Sequence, residues 1–225
     1  MSVRPIFIPS IHKDTFVHSL DINFTWFPGF SKEQKQRSIK SLHEEALKKD
    51  GVKNILEIST KSLDQVGIDA SAFNLKLKAK NLAKASVESL YQGSKVFENG
   101  GPFIDLYQGS ALAAKKDERI KTSGELIGFH FQGVDWGLND FFYDWLYLMG
   151  LNQNPKLAKE LLKFNAFTDI EFNPKKSYNC QAYTAALYIS ASLRGIELEE
   201  IQSPKNFKET FPSEKLISFR QLDLF

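Results

Sequence analysis

Hydrophobic positions in this chain change their spacing from one stretch to the next. Through residues 1–30, β-branched and aromatic residues fill the runs VRPIFIP and FVHSLDINFTWFPGF, punctuated by Pro5, Pro9, Pro28 and Gly29. That pattern predicts short strands and ordered loop. Ser31 followed by Gln34 is a capping-box signature and Gly51 a natural stop, so a helix of about five turns is predicted between them. NILEIS at 54–59 predicts a brief strand, and the alternation of SAFNLKLKA at 71–79 predicts a second. A helix is expected from Ser86 to Phe97, ended by Asn99-Gly100-Gly101-Pro102, and another from Ser110 to Arg119.

ELIGFHF at 125–131 alternates as a half-buried strand does. Asn139 is expected to cap the aromatic helix DFFYDWLYLMGL, apolar on most sides and therefore central and buried. Asn154-Pro155 starts a helix through Phe164, FTDIEF at 167–172 reads as extended, and QAYTAALYISASL at 181–193 is a helix stopped by Gly195. The tail from Pro204 is mixed. These elements predict one helix-rich α+β domain over residues 1–225, with short β-strands.

Composition narrows the function classes. The 225 residues are 42% hydrophobic and 25% charged, ordinary for a globular chain able to build a real core. A net charge of +2 gives no global electrostatic case for nucleic acid, although it leaves room for a local basic patch. One cysteine, Cys180, excludes an internal disulfide and fits a reducing compartment. Without an apolar leader-like run or a stretch of membrane-span length, the expectation is a cytoplasmic protein. His12, His18, His43 and His130 lack ligand spacing, so no metal is expected. Gly100-Gly101 and Gly133 to Gly137 do not form a dinucleotide fingerprint, and no cofactor is expected.

The most informative stretch runs from Val87 to Arg119. Glu88, Gln92 and Lys95 stand at i, i+4 and i+7, one stripe on a helix, beside Val87, Leu90, Tyr91 and Ser94. Such a stripe is either a structural ion-pair set or the wall of a polar pocket, because these groups are costly to bury without partners. Lys115 and Arg119, one turn apart on the next predicted helix, are equally compatible with a solvated charged face. Trp136 reads first as a packing residue, and the run Phe141 to Tyr147 as core.

The order of these blocks resembles the NADAR superfamily, also called YbiA-like. The resemblance covers roughly residues 70–172: Ser71-Ala72-Phe73-Asn74, then Glu88, Gln92 and Lys95, then Ser110, Ala114, Lys115 and Arg119, then Trp136, then Asn154-Pro155-Lys156-Leu157, then Thr168-Asp169-Ile170-Glu171. YbiA-like riboflavin-pathway enzymes continue with an Asp and a Trp-Gly pair, where this chain has Asn173-Pro174-Lys175-Lys176-Ser177-Tyr178-Asn179-Cys180. The Glu98-to-Pro102 insertion is a second departure. Both make the chain more similar to the NADAR branch found beside DarT-type toxins, which modify guanine in DNA with ADP-ribose. That resemblance implies an N-glycosidase that removes ADP-ribose from guanine, acts as an antitoxin, and has ADP-ribosylated guanine or ADP-ribose and a neighbouring DarT-type toxin as partners. Two alternatives stay open: a small-molecule N-glycosidase on ribosylated riboflavin-pathway intermediates, and a catalytically silent ADP-ribose-binding protein.

The residue types suit the implied chemistry. Cutting a base–ribose bond builds positive charge at the anomeric carbon, which a carboxylate stabilises, and a carboxylate can also activate water. Glu88 leads for this role and Glu171 follows. Lys95, once desolvated, can attack the ribose to give a Schiff base; otherwise it is a cation for phosphate. Ser71, Asn74 and Gln92 suit ribose hydroxyls, Lys115 and Arg119 a pyrophosphate, and Trp136 a base; Asp169 belongs to the last block.

Overall fold

The first 24 residues form a long hairpin because their β-branched and aromatic residues pair across it in continuous register, from Ser2 opposite Phe24 to Pro9 opposite Val17. The computed structural model describes residues 1–79, 83–174, 179–212 and 216. In chain order these contain β1 (Ser2–Pro9), β2 (Val17–Phe24), α1 (Lys32–Ala46), β3 (Ile55–Glu57), α2 (Gln65–Asp69), β4 (Lys76–Lys78), β5 (Lys84–Ser86), α3 (Val87–Gly93) and β6 (Lys95–Phe97). There follow α4 (Ala111–Lys116), α5 (Arg119–Thr122), β7 (Leu126–Phe131), β8 (Val134–Trp136), α6 (Phe142–Asn152), α7 (Pro155–Leu161), β9 (Ala166–Thr168), α8 (Gln181–Leu193) and α9 (Pro204–Thr210). The fold class is α+β. Among the described residues no helix is long and apolar enough to cross a membrane. Of the segment Asn173 to Cys180, Lys175, Lys176, Ser177 and Tyr178 lie outside the described residues, as does most of the tail after Pro212.

The chain divides into two compact units, Met1–Ser71 with Lys156–Phe225, and Ala72–Pro155. The first is built on a four-stranded sheet in the order β2-β1-β9-β3, with β9 antiparallel to β1 and parallel to β3. Ile6, Ile22, Phe24, Ile39, Leu42, Val52 and Ile170 form a core between that sheet and α1. Ser31 caps α1 by accepting from Gln34 N–H at 3.3 Å, and the helix ends at Ala46, one turn short of the expected stop. Asn165 fixes the start of β3, its side-chain oxygen accepting from Lys53 and Asn54 N–H at 3.1 and 3.0 Å.

The second unit holds the antiparallel sheet β6-β7-β8 and the small β4-β5 pair. Helix α6 is buried from Phe142 to Leu151, as its apolar circumference predicts. Its N-cap is Phe141 in the left-handed region (φ 55°), not Asn139. Two further expectations are corrected. The helix expected from Ser86 to Phe97 stops at Gly93, and Lys95 to Phe97 leave it to pair with β7. The helix expected from Ser110 to Arg119 breaks at Asp117, whose ψ of 131° is extended.

Candidate functional site

Helix α3 is seated before any of its side chains act. Ser86 Oγ caps it by accepting from Ser89 N–H at 3.0 Å, and the first-turn N–H groups of Val87 and Glu88 donate to Leu75 and Ala72 carbonyls, both at 2.9 Å. This places Glu88, only 8% exposed along its side chain, in a helix first turn where negative charge is favoured. Gln92 donates from Nε2 to Glu88 Oε1 at 3.0 Å, and Lys115 Nζ stands 3.8 Å from the same oxygen. Gln92 Oε1 is buried and has no hydrogen-bond partner. The amide is fixed this way round, because turning it over would set a carbonyl against the carboxylate.

Lys95 joins this group from a strand, not from the helix as its spacing suggested. Ser94 closes α3, and Lys95 then pairs with Phe129 across the β6–β7 ladder. Gly101, in the loop after β6, closes tightly against it: at φ +88° a Cβ there would lie 2.2 Å from the Lys95 carbonyl oxygen. The Lys95 ammonium sits 5.1 Å above the Tyr91 ring. Burial lowers its pKa to about 8, with Glu88 opposing the shift and Lys115 adding to it. Lys115, half exposed, rests 5.3 Å over the Phe73 ring. Glu88, Gln92, Lys95 and Lys115 are thus brought together.

Other predicted residues of this unit lie in different settings. Arg119 is not on the Lys115 helix. Its guanidinium donates to Asp117 Oδ1 at 2.9 Å and to Asp105 Oδ2 at 2.7 Å, and lies 4.6 Å over Phe103. Trp136 is 2% exposed and packs against Phe142 and Trp145, with ring centroids at 5.3 and 5.0 Å, inside the aromatic core. Asn74 is exposed in the turn before β4.

The remaining predicted residues belong to the other unit. Ser71 is buried and its hydroxyl donates to the Ile68 carbonyl at 2.7 Å. Asp169 and Glu171 follow β9, and Glu171 N–H donates to Asp169 Oδ1 at 3.0 Å. The Glu171 carboxylate pairs with Lys35 at 3.2 Å, and Lys35 stands 4.9 Å over Trp26. Burial holds the Asp169 carboxyl well above the usual carboxylate range, and the charge of Glu57 adds to the shift.

Sequence reasoning missed Glu57, which anchors this turn. Its carboxylate accepts from Thr168 Oγ1 at 2.6 Å and from Ile170 N–H at 2.8 Å, and burial raises its own pKa. Thr168 Oγ1 lies 2.8 Å from His43 Nε2; since the Thr168 proton goes to Glu57, His43 is the donor. Burial lowers His43 to about 4, so it is neutral there. The available signal was a single charged residue in the apolar run NILEIS.

Among the described residues, no group of three or more His, Cys, Asp or Glu side chains could hold a metal ion. Lys95 and Lys115 beside Glu88 instead suit an anionic, hydroxyl-bearing ligand. Comparison with curated proteins finds no match to the chain. The family described as the DarT1-associated NADAR antitoxin matches residues 2–219, and the chain belongs to that family.

Proposed function

We propose that this antitoxin-family protein is an N-glycosidase that removes ADP-ribose from guanine bases of nucleic acid, undoing the mark left by a DNA-modifying ADP-ribosyltransferase. The observation that carries the reading is the buried Glu88 carboxylate within reach of Lys115 and in the field of Lys95, an amine whose pKa burial lowers to about 8. At neutral pH roughly a tenth of such an amine is unprotonated, far more than for a solvated lysine.

In this mechanism neutral Lys95 Nζ attacks the anomeric carbon of the ribose. The bond to the guanine nitrogen breaks and that nitrogen takes one of the two protons then on Nζ; the ribose ring opens as the imine forms, its ring oxygen taking the other. Water then adds to the imine, releasing ADP-ribose and restoring the amine. Glu88 stabilises positive charge at the anomeric carbon and accepts the proton of the attacking water. Gln92 Oε1, a buried acceptor without a partner, supports contact with a ribose hydroxyl. Lys115 is assigned to phosphate; Arg119, held by Asp105 and Asp117, is better suited to fixing its loop. Glu171, ion-paired with Lys35, is the less suitable of the two candidate carboxylates.

The test pairs two substrates. An oligonucleotide carrying ADP-ribosylated guanine should be restored to its unmodified form, at least ten times faster than a ribosylated riboflavin precursor is cleaved. Faster cleavage of the riboflavin precursor would transfer the protein to the metabolite-repair reading. No cleavage of either would leave a binding protein.

A further inference from the structure

The segment from Trp26 to Ser41 carries a surface that the proposed chemistry does not use. Phe30 is 99% exposed at the tip of Pro28-Gly29-Phe30. The loop behind it is tied to α1: Phe27 N–H donates to Ser38 Oγ at 2.9 Å, and Thr25 N–H donates to Ser41 Oγ at 3.0 Å. Arg37 lies 4.0 Å over the Phe27 ring, and its Nη1 donates to Gln34 Oε1 at 3.2 Å. This makes a ledge of ring and guanidinium three residues before Phe30 in the chain, and the Gln34 that Arg37 holds lies against Gly29, the neighbour of Phe30. Arg37 and Lys32 are exposed and form no ion pair among the described residues. The nearby acid, Glu33, is held below the usual carboxylate range by its own backbone N–H, then by Ser31, and to a smaller extent by the charge of Lys32.

An exposed ring followed along the chain by two exposed cations matches the chemistry of unpaired nucleic acid, a π face followed by phosphates. We propose that Phe30 and the Phe27–Arg37 ledge bind a single-stranded nucleic-acid segment, with an unpaired base stacked on Phe30 and its phosphates on Arg37 and Lys32. The inference rests on the proposed function for the origin of that strand, since an enzyme acting on a base must take it out of the helical stack. The contact itself depends on none of the catalytic residues.

Fluorescence anisotropy with a fluorescein-labelled, unmodified single-stranded DNA oligonucleotide tests it, with melting temperature as the control for folding. Phe30→Ala should weaken binding about fivefold or more, and Phe30→Trp should restore it. Arg37→Gln should weaken binding and flatten the salt dependence by about 0.7 in slope, one phosphate contact on a single strand. ADP-ribose affinity by calorimetry should stay within twofold for all three. Wild-type protein that does not bind the oligonucleotide, Phe30→Ala binding within twofold of wild type, or a loss confined to binding of the toxin would each overturn the proposal. DNA binding that is lost in Phe30→Ala while wild-type protein releases no ADP-ribose would sink the hydrolase reading and leave this surface standing.

Discussion

Replacing Glu88 with Gln separates chemistry from architecture at the proposed centre. The substitution keeps the length of the side chain and removes its charge. Three effects on stability can be read from the structure. The contact with Lys115 at 3.8 Å is lost, but Lys115 is 56% exposed, so that ion pair contributes less than ~1 kcal/mol. The hydrogen bond from Gln92 Nε2 survives, because an amide oxygen still accepts. The new amide nitrogen can also donate to Gln92 Oε1, the buried acceptor without a partner, which offsets about 1 kcal/mol. Folding stability should therefore hold or rise, and the melting temperature with it. Turnover should fall by about two to four orders of magnitude, because the charge that stabilises the anomeric cation is gone; that corresponds to ~2.7–5.4 kcal/mol of barrier. ADP-ribose affinity should change less than about tenfold, or ~1.4 kcal/mol. Single-turnover cleavage of an ADP-ribosylated oligonucleotide, calorimetry with ADP-ribose and a thermal melt read the three quantities. A Glu88→Gln protein that melts early yet turns over normally would refute the argument and make Glu88 a structural residue.

Further predictions concern pH and packing. If the neutral amine of Lys95 is the nucleophile, as proposed, the cleavage rate should rise with pH and level off above about 8; in Glu88→Gln the inflection should move lower, because Glu88 holds that pKa up. A flat pH–rate profile would contradict the nucleophile role. His43 is neutral in the fold, its pKa lowered from 6.5 to about 4, so the unfolded chain binds the proton first as pH falls. Asp169 and Glu57, raised by burial, work the other way over the same range, so the test is the difference between wild type and His43→Gln in denaturant titrations: the contribution of His43 is present above pH 6.5 and shrinks by at most ~3 kcal/mol as pH drops toward 4. Gly67→Ala would set a Cβ 1.9 Å from the Glu57 carbonyl oxygen and 2.5 Å from Ser62 Oγ, and should destabilise the protein by about 1–3 kcal/mol. An unchanged melting temperature would contradict the close approach of α2 to β3.

What the sequence made legible was local. Ser31 and Gln34 mark the start of α1, the apolar circumference of α6 marks it as buried, and the alternation of ELIGFHF marks β7, because caps and periodicity act within a few residues. The errors lie where distant partners or side chains compete with the helix. The lysine of the predicted stripe leaves α3 because Phe129, on β7, pairs with it. It still joins Glu88, since the chain turns back immediately after the helix. Asp117 ends α4 because its carboxylate caps Arg119 N–H at 3.0 Å, a local bond that competes with the helical one. Glu57 was beyond reach: its burial depends on Thr168 and Ile170, more than a hundred residues along the chain.

The central claim, that the base–ribose bond is cut at the group formed by Glu88 and Lys95, is met most directly by borohydride trapping during turnover. Wild-type protein mixed with an ADP-ribosylated guanine oligonucleotide and borohydride should carry a reduced ADP-ribosyl adduct on the peptide containing Lys95, identified by mass spectrometry. Lys95→Arg, which keeps the charge but cannot form the imine, should show neither adduct nor turnover. An adduct-free wild type together with a Lys95→Arg variant that releases ADP-ribose at near-normal rate would contradict the account.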